Sequence, residues 1–249
     1  MIYNTEIMSV QHEGGKMVSV TSAAGDVYMS DLFVINADAA WFRGKFLHRT
    51  KYTEAKLDKM EWTLAPFTIY LGVKGIIPGI HHHNYFLGDN FRAYADTIFR
   101  STVAPDKPYY YVNVASKSNP DCAPEGCENL FILCPVPDLR VKPDWSDANK
   151  LVDEIIEDLG KRVNFDIKNN ILTQVVYTPN EWQKMFNLYK GSGLGLAHGL
   201  NQIGALRPAN KDEKLNNVYY VGASTHPGTG LPIVVIGSRL VTERIENEH

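Results

Sequence analysis

The feature that most constrains the fold is a strand, a glycine-rich turn and a helix close to the end of the printed sequence. Residues 218–221 form a short apolar, β-prone run that Gly222 ends. Beyond a glycine and proline cluster, apolar residues recur at helical spacing over 233–245, and Pro232 suits the first helical turn. A helix entered through glycines presents free backbone N–H groups and the positive end of its dipole. The segment therefore predicts a site for an anionic or electron-accepting ligand.

Four separated motifs follow one another along the chain. They read VINAD at 34–38, PEGCENLFILCPVPDL at 124–139, FNLYKGSGLGLAHGLNQIGALRPAN at 186–210 and VGASTHPGTGLP at 221–232. Together they resemble the phytoene desaturase family of carotenoid biosynthesis, within the FAD-dependent, amine-oxidase-like superfamily. The last motif is similar to the family's VGAGTHPGAGVPG-like flavin motif, and the resemblance extends over about residues 18–245.

The resemblance implies a mixed α+β and α/β fold, the C-terminal part of a two-domain FAD-linked oxidoreductase. In such a protein a GR2-type, Rossmann-like FAD domain is joined to a substrate domain of antiparallel sheet and helices. The implied divisions are residues 1–40 as a residual part of the FAD domain, 41–212 as the substrate domain and 213–249 as the FAD-binding strand, turn and helix.

The dinucleotide fingerprint of such an enzyme is missing from the sequence. The class opens with a strand and G-x-G-x-x-G, whose glycines let the backbone approach the FAD pyrophosphate. The glycines at 191, 193, 195 and 199 have a different spacing and follow no apolar β run. Because family members are about twice as long, the chain resembles a C-terminal half that is inactive by itself, without the N-terminal G-x-G-x-x-G unit.

The hydrophobic pattern predicts a β-meander followed by mixed helices and strands. A hairpin ladder is predicted over residues 6–10, 16–21, 27–29 and 32–35, with an apparent strand starting at residue 2. Further strands are predicted at 66–73, 109–115 and 130–136, and helices at 39–47, 90–99, 146–159 and 179–187. Asp38 is a predicted helix N-cap, and Thr178, Pro179 and Glu181 form a predicted helix start.

Composition excludes some classes of function. A net charge of −3 without a basic run argues against nucleic acid as a partner. No apolar stretch reaches the ~20 residues that a transmembrane helix requires. Three cysteines form no disulfide pattern and indicate a reducing compartment. We therefore predict a cytoplasmic protein, with any membrane contact peripheral and on the inner membrane face.

The resemblance implies FAD-dependent desaturation of an acyclic carotenoid such as phytoene, with hydride transfer to flavin N5 and with quinone or oxygen as the electron acceptor. Helix N–H groups would stabilise the negative charge of the reduced flavin. The predicted cofactor-binding residues are Asn36, Ala37, Gly222, Ala223, Gly230, Leu231, Pro232 and Ile233. The predicted residues for the long apolar substrate are Phe186, Leu196, Gln202 and Arg207. No catalytic acid or base is predicted.

The sequence also contains residues that could belong to a metal site, a hydrolase site or a tunnel lining. The three consecutive histidines at 81–83 would point to opposite faces of an extended segment, and Cys122 and Cys127 lack a second paired ligand set, so no metal site is predicted. Ser192 lacks the G-x-S-x-G elbow of hydrolases, and His198 and His226 are interpreted as structural or cofactor-proximal. Tyr109, Tyr110 and Tyr111 are interpreted as packing residues whose alternating faces could also line a tunnel.

Two hypotheses from different classes remain open. In one, the chain is part of a carotenoid desaturase that needs the missing N-terminal half or a homologous chain. In the other, the chain is a non-catalytic module that binds an isoprenoid lipid or a partner protein.

Overall fold

The structure is a computed structural model that describes residues 1–100 and 107–249. The chain forms two compact units. The first unit comprises Met1–Thr63 with Leu194–His249, and the second comprises Leu64–Gly193. The predicted divisions at residues 40 and 212 are of another kind, because they separate the parts of the chain by the ligand that each part would bind. These divisions stay a prediction.

The first unit contains two small sheets. An antiparallel sheet consists of β1 (Ile7–Glu13), β2 (Lys16–Ser22) and β3 (Val27–Met29). In the second sheet β4 (Phe33–Ile35) pairs in parallel with β10 (Val218–Tyr220). The helices of this unit are α1 (Ala39–Lys45), α2 (Glu54–Leu57) and α6 (Leu231–Glu248).

The predicted hairpin ladder is correct for its first three strands. For the fourth, the resemblance implied a return strand at VINAD that leaves the meander for the main sheet. The first strand begins at Ile7 rather than at residue 2. Residues 32–35 do not continue the meander, because β4 hydrogen-bonds to β10 far along the chain. The VINAD motif thus returns the chain to a second, parallel sheet.

Asp38 begins α1 as the sequence predicts. Its Oδ1 atom accepts hydrogen bonds from the backbone N–H groups of Ala40 at 3.0 Å and Trp41 at 2.9 Å. The helix then packs on both sheets' apolar residues. The buried core of the first unit contains Met17, Phe33, Ala39, Phe42, Leu47, Leu215, Val218 and Tyr220.

The second unit contains a five-stranded antiparallel sheet. Its spatial order is β6 (His83–Phe86), β7 (Tyr110–Asn113), β8 (Cys127–Val136), β5 (Ala65–Lys74) and β9 (Ile171–Tyr177). Its helices are α3 (Phe91–Arg100), α4 (Ala148–Val163) and α5 (Pro179–Phe186).

Strict alternation along β8 separates the two faces of this sheet. Leu130, Ile132 and Cys134 are buried, whereas Phe131 and Leu133 between them are half-buried on the opposite face. The buried face shares one core with the apolar side of α4, whose contributions are Leu151, Val152, Ile155, Ile156, Leu159 and Val163.

Sequence periodicity finds most elements of the second unit but not all. The helix start at Thr178 is confirmed as a capping box with Glu181. β6 and β9 were not predicted. β9 is largely exposed and carries no buried alternation, so its residues give no period-two signal.

The face assignment is testable with adjacent residues of β8. Ile132→Ala is expected to lower the free energy of unfolding by about 2–5 kcal/mol, since it empties a fully buried site. Phe131→Ala, although it removes a larger side chain, is expected to cost only about 1 kcal/mol, because the ring is half-exposed. Urea unfolding of both variants measures the difference, and equal losses would contradict the assignment.

Candidate functional site

The carboxyl ends of the two parallel strands form one edge in the first unit. Val218, Tyr219 and Tyr220 pair with Phe33, Val34 and Ile35 in register, and Val221 N–H donates to the Ile35 carbonyl at 3.0 Å. Asn36 and Gly222 therefore follow the two strands at the same edge. In open α/β sheets, ligands bind outside the carboxyl ends of parallel strands.

Gly222 has a backbone conformation that side chains disfavour. Its φ is +103°, and a Cβ atom there would lie 3.2 Å from Oδ1 of Asn36. The turn backbone thus approaches the exposed Asn36 side chain closely. Ala37 packs partly buried against the core, and Ala223 continues the turn. The structure brings the four predicted residues Asn36, Ala37, Gly222 and Ala223 to one edge of the sheet.

Arg207 links this turn to the loop of residues 196–202 by hydrogen bonds. The guanidinium is buried, with 3% of the residue exposed, and its hydrogen bonds of 2.6–3.2 Å all go to backbone carbonyls. The acceptors are the carbonyl oxygens of Leu196, Ala197, Gln202, Ala223 and Thr225. Burial lowers the pKa of Arg207 and the neighbouring Asp38 raises it. Since its donors face the backbone, this geometry favours a structural role over the predicted contact with substrate.

Asp38 and Ser224 form a second link within the same edge. The Ser224 hydroxyl donates a very short hydrogen bond to Oδ2 of Asp38 and accepts from the Leu196 N–H at 3.2 Å. Gly195 lies so close that a Cβ atom would meet the Ser224 hydroxyl. Burial raises the pKa of Asp38, although the bonds from Ser224 and from the α1 backbone oppose that shift. The carboxyl group therefore joins three chain segments at a desolvated position.

The turn leads into the N-terminus of α6. Gly230 is the N-cap with φ +111°, and no side chain of residues 1–100 or 107–249 caps this helix. The Gly230 carbonyl accepts from Val234 N–H at 2.9 Å, and Pro232 has no N–H to satisfy. The N–H groups of Leu231 and Ile233 thus have no intrahelical acceptor. Together with the helix dipole they offer donors to an anionic group.

His198 supports the same turn from the preceding loop. Its Nε2 atom accepts a hydrogen bond from Thr229 N–H at 3.3 Å, and a Cβ at Gly228 would collide with the imidazole. Burial, and to a lesser extent Arg207, lowers the pKa of His198 and so favours the neutral ring that can accept this bond. This contact fits the interpretation of His198 as structural or cofactor-proximal.

The apolar residues of α6 are mostly exposed rather than packed. Leu231 is 80% exposed, Val235 61% and Ile236 49%, while Val241 and Gly237 are buried. Ile233, one of the predicted cofactor-binding residues, is 36% exposed. The helical spacing is correct, and most of the apolar residues that it places on α6 are exposed.

The predicted substrate residues differ in what they can contact. Leu196 is buried, with 1% exposed. Gln202 donates to the Glu61 carbonyl at 2.7 Å and accepts from the Glu61 N–H at 2.8 Å. Phe186, in the second unit, is 55% exposed on α5 and remains available to an apolar ligand.

An aromatic face, which periodicity alone did not reveal, crosses all five strands of the second unit. Tyr70 lies with its ring centre 5.2 Å from that of Phe131 and 5.6 Å from that of Tyr177. Trp182 stacks on Phe186 at 5.1 Å and meets Tyr177 at 6.2 Å. The complete aromatic face comprises Tyr70, Tyr85, Tyr111, Phe131, Tyr177, Trp182 and Phe186.

The three consecutive tyrosines divide between the two sides of that sheet. Tyr110 is buried and donates to Oδ2 of Asp158 at 2.6 Å, and Tyr109 is buried as well. Tyr111 lies on the aromatic face, where its hydroxyl meets Nδ1 of His83 at 2.6 Å. Packing thus accounts for Tyr109 and Tyr110, whereas the lining of a tunnel by Tyr111 stays a prediction.

The described residues contain neither a metal-binding cluster nor a membrane-spanning helix. Among residues 1–100 and 107–249, no group of three or more His, Cys, Asp or Glu side chains is arranged to hold a metal ion. Within the same residues, no helix combines the length and the apolar character needed to cross a lipid bilayer.

Sequence comparison relates the chain to carotenoid enzymes. A phytoene desaturase of Fusarium fujikuroi is 33% identical over 96% of this chain and 45% of its own length. A zeta-carotene-forming phytoene desaturase of Myxococcus xanthus is 34% identical over 98% of this chain and 47% of its own length. The chain spans about half the length of these curated relatives and aligns with their C-terminal part. No protein-family profile matches it.

Solved structures support the fold. An oxidoreductase of Methanosarcina mazei superposes with a TM-score of 0.61 at 17% identity, over 96% of this chain and 49% of its own. A putrescine oxidase variant, redesigned in its cofactor binding, superposes with a TM-score of 0.56 at 8% identity, over 98% of this chain and 49% of its own. The predicted fold class of mixed α and β structure is confirmed.

The buried carboxyl group of Asp38 predicts a pH-dependent stability difference. A raised pKa in the folded state means that stability is present below the unfolded value of about 3.9 and is lost as pH rises through the folded value. Asp38→Asn keeps a capping oxygen but cannot ionise. We expect its free energy of unfolding, relative to the original chain, to rise between about pH 4 and pH 7.

Urea unfolding at both pH values measures this difference. Asp38→Ala is the control, since it removes the cap and is expected to cost about 1 kcal/mol at neutral pH. A constant difference between Asp38→Asn and the original chain across the range would contradict a buried carboxyl group with a raised pKa.

Proposed function

Since the chain is homologous to the C-terminal part of the phytoene and carotenoid desaturases, we propose that it forms the C-terminal part of an FAD-dependent carotenoid desaturase. The observation that carries the proposal is the edge where Asn36, Gly222 and the N-terminus of α6 follow a parallel strand pair. This edge combines close backbone approach with unpaired N–H donors.

The residues of this edge fit a flavin dinucleotide. Gly222 and Ala223 present backbone without a bulky side chain, and Asn36 offers an exposed amide beside them. Gly230, Leu231, Pro232 and Ile233 begin an eighteen-residue helix whose positive end suits negative charge. FAD, when bound, supplies the hydride acceptor for dehydrogenation of a C–C bond. The chain's own groups bind and orient it, while Arg207, Ser224 and His198 hold the turn.

A second polypeptide segment is needed to complete the cofactor site. The chain contains no G-x-G-x-x-G motif, and it spans about half the length of its curated relatives. The apolar residues left exposed on α6, and Val34 on β4 at 51% exposed, support a missing neighbour. We propose that this neighbour is an N-terminal half, or a homologous chain, that carries the dinucleotide fingerprint. By itself the chain is then inactive.

The aromatic face supports a long apolar substrate. Seven aromatic residues in successive contact offer a continuous surface of aromatic rings, which suits an acyclic carotenoid such as phytoene. We include Phe186 in this surface. Quinone or oxygen is the proposed electron acceptor, and the proposed location is cytoplasmic, with peripheral contact at the inner membrane face.

A non-catalytic function is the second candidate. The open aromatic face would also suit a protein that binds an isoprenoid lipid, and the missing fingerprint favours this reading for the chain alone. The two candidates differ in the cofactor. Both predict carotenoid binding, whereas only the desaturase predicts flavin and product.

Conversion of phytoene tests the proposal when the chain is co-expressed with the N-terminal half of a curated relative. We expect desaturated products, separated by chromatography and recognised by their visible absorption. Gly222→Ala is expected to abolish flavin retention and product, because its Cβ atom would crowd Asn36 in a left-handed conformation.

The matched control for that variant is Gly25→Ala. Gly25 also has a positive φ, +89°, but lies in an open hairpin turn of the first unit. Its substitution is expected to cost about 1–2 kcal/mol of stability and to leave product formation intact. Equal activity of the two variants would show that Gly222 is not part of the cofactor site.

Substrate binding by the aromatic face is tested separately. Tyr70→Ala with Phe131→Ala is expected to raise the KM for phytoene about tenfold or more, because aromatic surface of ~150–250 Å² per residue is lost. Tyr3→Ala is the control, since Tyr3 is exposed in the first unit and lies outside this face. An unchanged KM in the double variant, with the fold intact by circular dichroism, would rule out this surface.

A further inference from the structure

The aromatic face of the second unit has two chemically different ends. Successive ring contacts connect six of its side chains, in the order Phe186, Trp182, Tyr177, Tyr70, Phe131 and Tyr111. At the Phe186 end the indole N–H of Trp182 is already paired, because it donates to Oγ1 of Thr68 at 3.1 Å. At the Tyr111 end the rings meet polar side chains of β6 and β7. The face is therefore asymmetric along its length.

The polar end of the face consists of His83, Tyr111 and Asn113, which contact one another. The Tyr111 hydroxyl lies 2.6 Å from Nδ1 of His83, and Nδ2 of Asn113 lies 3.4 Å from the same atom. The imidazole also stacks on the Tyr111 ring, with 5.9 Å between the ring centres and 25° between the planes. Nδ2 of Asn113 donates to the His82 carbonyl at 3.3 Å, which orients the amide. The three side chains are thus held in one arrangement.

These contacts determine which nitrogen of His83 carries the ring proton. An amide NH2 group can only donate, so Nδ2 of Asn113 requires Nδ1 of His83 to accept. The Tyr111 hydroxyl then donates to the same nitrogen, and the ring proton lies on Nε2. His83 is exposed, and its Nε2 atom has no partner among the residues that the structure describes. The polar end therefore presents a free N–H donor, and the Tyr111 oxygen keeps lone pairs that can accept.

A donor and an acceptor in contact match a hydroxyl group, because a hydroxyl both donates and accepts. In the part of the chain that the structure describes, Tyr111 is the one tyrosine of the aromatic face whose hydroxyl meets another side chain. A hydrocarbon end placed over His83 and Tyr111 would remove water from both groups without replacing its hydrogen bonds, which is unfavourable. A hydroxylated end would replace them.

We propose that the polar end binds a hydroxyl group at one terminus of an acyclic carotenoid. Nε2 of His83 donates to the hydroxyl oxygen, and the Tyr111 oxygen accepts the hydroxyl proton. Phe186 and Trp182 contact the apolar part of the same molecule at the other end of the face. The substrate class is thus an acyclic carotenoid with one hydroxylated end, bound in a single direction. This inference rests on the proposed function, because it requires a carotenoid on the aromatic face.

Binding of three coloured carotenoids tests the proposal, measured by quenching of the protein's tryptophan fluorescence in detergent micelles. The ligands are lycopene, the alcohol formed by hydration of one of its terminal double bonds, and the methyl ether of that alcohol. The alcohol is expected to bind at least about fivefold more tightly than lycopene, since each net hydrogen bond contributes about fivefold. The ether is expected to lie between them, because it can accept from His83 but cannot donate to Tyr111.

Two variants that keep an aromatic ring assign the preference to the polar end. His83→Phe and Tyr111→Phe are each expected to lower the ratio of alcohol affinity to lycopene affinity about fivefold. His83→Phe is also expected to abolish the preference for the ether over lycopene, whereas Tyr111→Phe is expected to retain it. The matched controls are His12→Phe and Tyr3→Phe, which make the same exchanges at exposed positions of the first unit and are expected to keep both ratios.

Failure of this inference can be distinguished from failure of the proposed function. Equal affinity of the original chain for the three carotenoids would overturn the inference and would leave the aromatic face as a carotenoid surface. A preference for the alcohol that persists in both His83→Phe and Tyr111→Phe, with the fold intact by circular dichroism, would also overturn it. If none of the three carotenoids binds, both the inference and the proposed role of the aromatic face are wrong, whereas flavin retention tests the cofactor edge separately.

Discussion

The buried guanidinium of Arg207 is the interaction on which the candidate cofactor edge depends. A buried cation normally pairs with a carboxylate, because desolvation of an unpaired charge costs several kcal/mol. Here the charge is offset by carbonyl dipoles from two segments, residues 196–202 and 223–225, with Asp38 as the nearest electrostatic counterpart. These five hydrogen bonds fix the position of the two segments relative to each other. The hydrogen bonds of Arg207 thereby stabilise the irregular backbone that follows β10.

Asp38 and Ser224 extend the same principle to α1. The carboxyl group begins a helix, accepts from the Ser224 hydroxyl and lies near Arg207, so one group connects the return strand, the loop and the turn. A rigid turn matters for a ligand that is recognised by backbone N–H groups, because these donors cannot adjust independently as side chains do. The apolar residues of α6, in contrast to this rigid turn, are mostly exposed. That helix is oriented by its N-terminus and by two buried positions, and most of its apolar surface remains uncovered.

The sequence predicted local features well and distant pairings poorly. Asp38 and Thr178 were identified as helix starts because capping depends on residues within one turn. The parallel pairing of β4 with β10 could not be predicted from period-two patterns, because it joins segments about 185 residues apart. Arg207 was placed near substrate because its type suggests polar contact, whereas its carbonyl partners depend on tertiary structure. The aromatic face was not predicted for a similar reason. Its rings come from five strands and one helix, and the order of the strands in space differs from their order in the sequence.

The most direct measurement is the visible absorbance of the purified chain, alone and mixed with FAD and a separately produced N-terminal half of a curated relative. The account predicts flavin bands that remain after gel filtration only in the mixture, because the chain supplies one side of the cofactor site. Absence of bound flavin in both samples, with both halves folded by circular dichroism, would contradict the account and favour a lipid-binding protein.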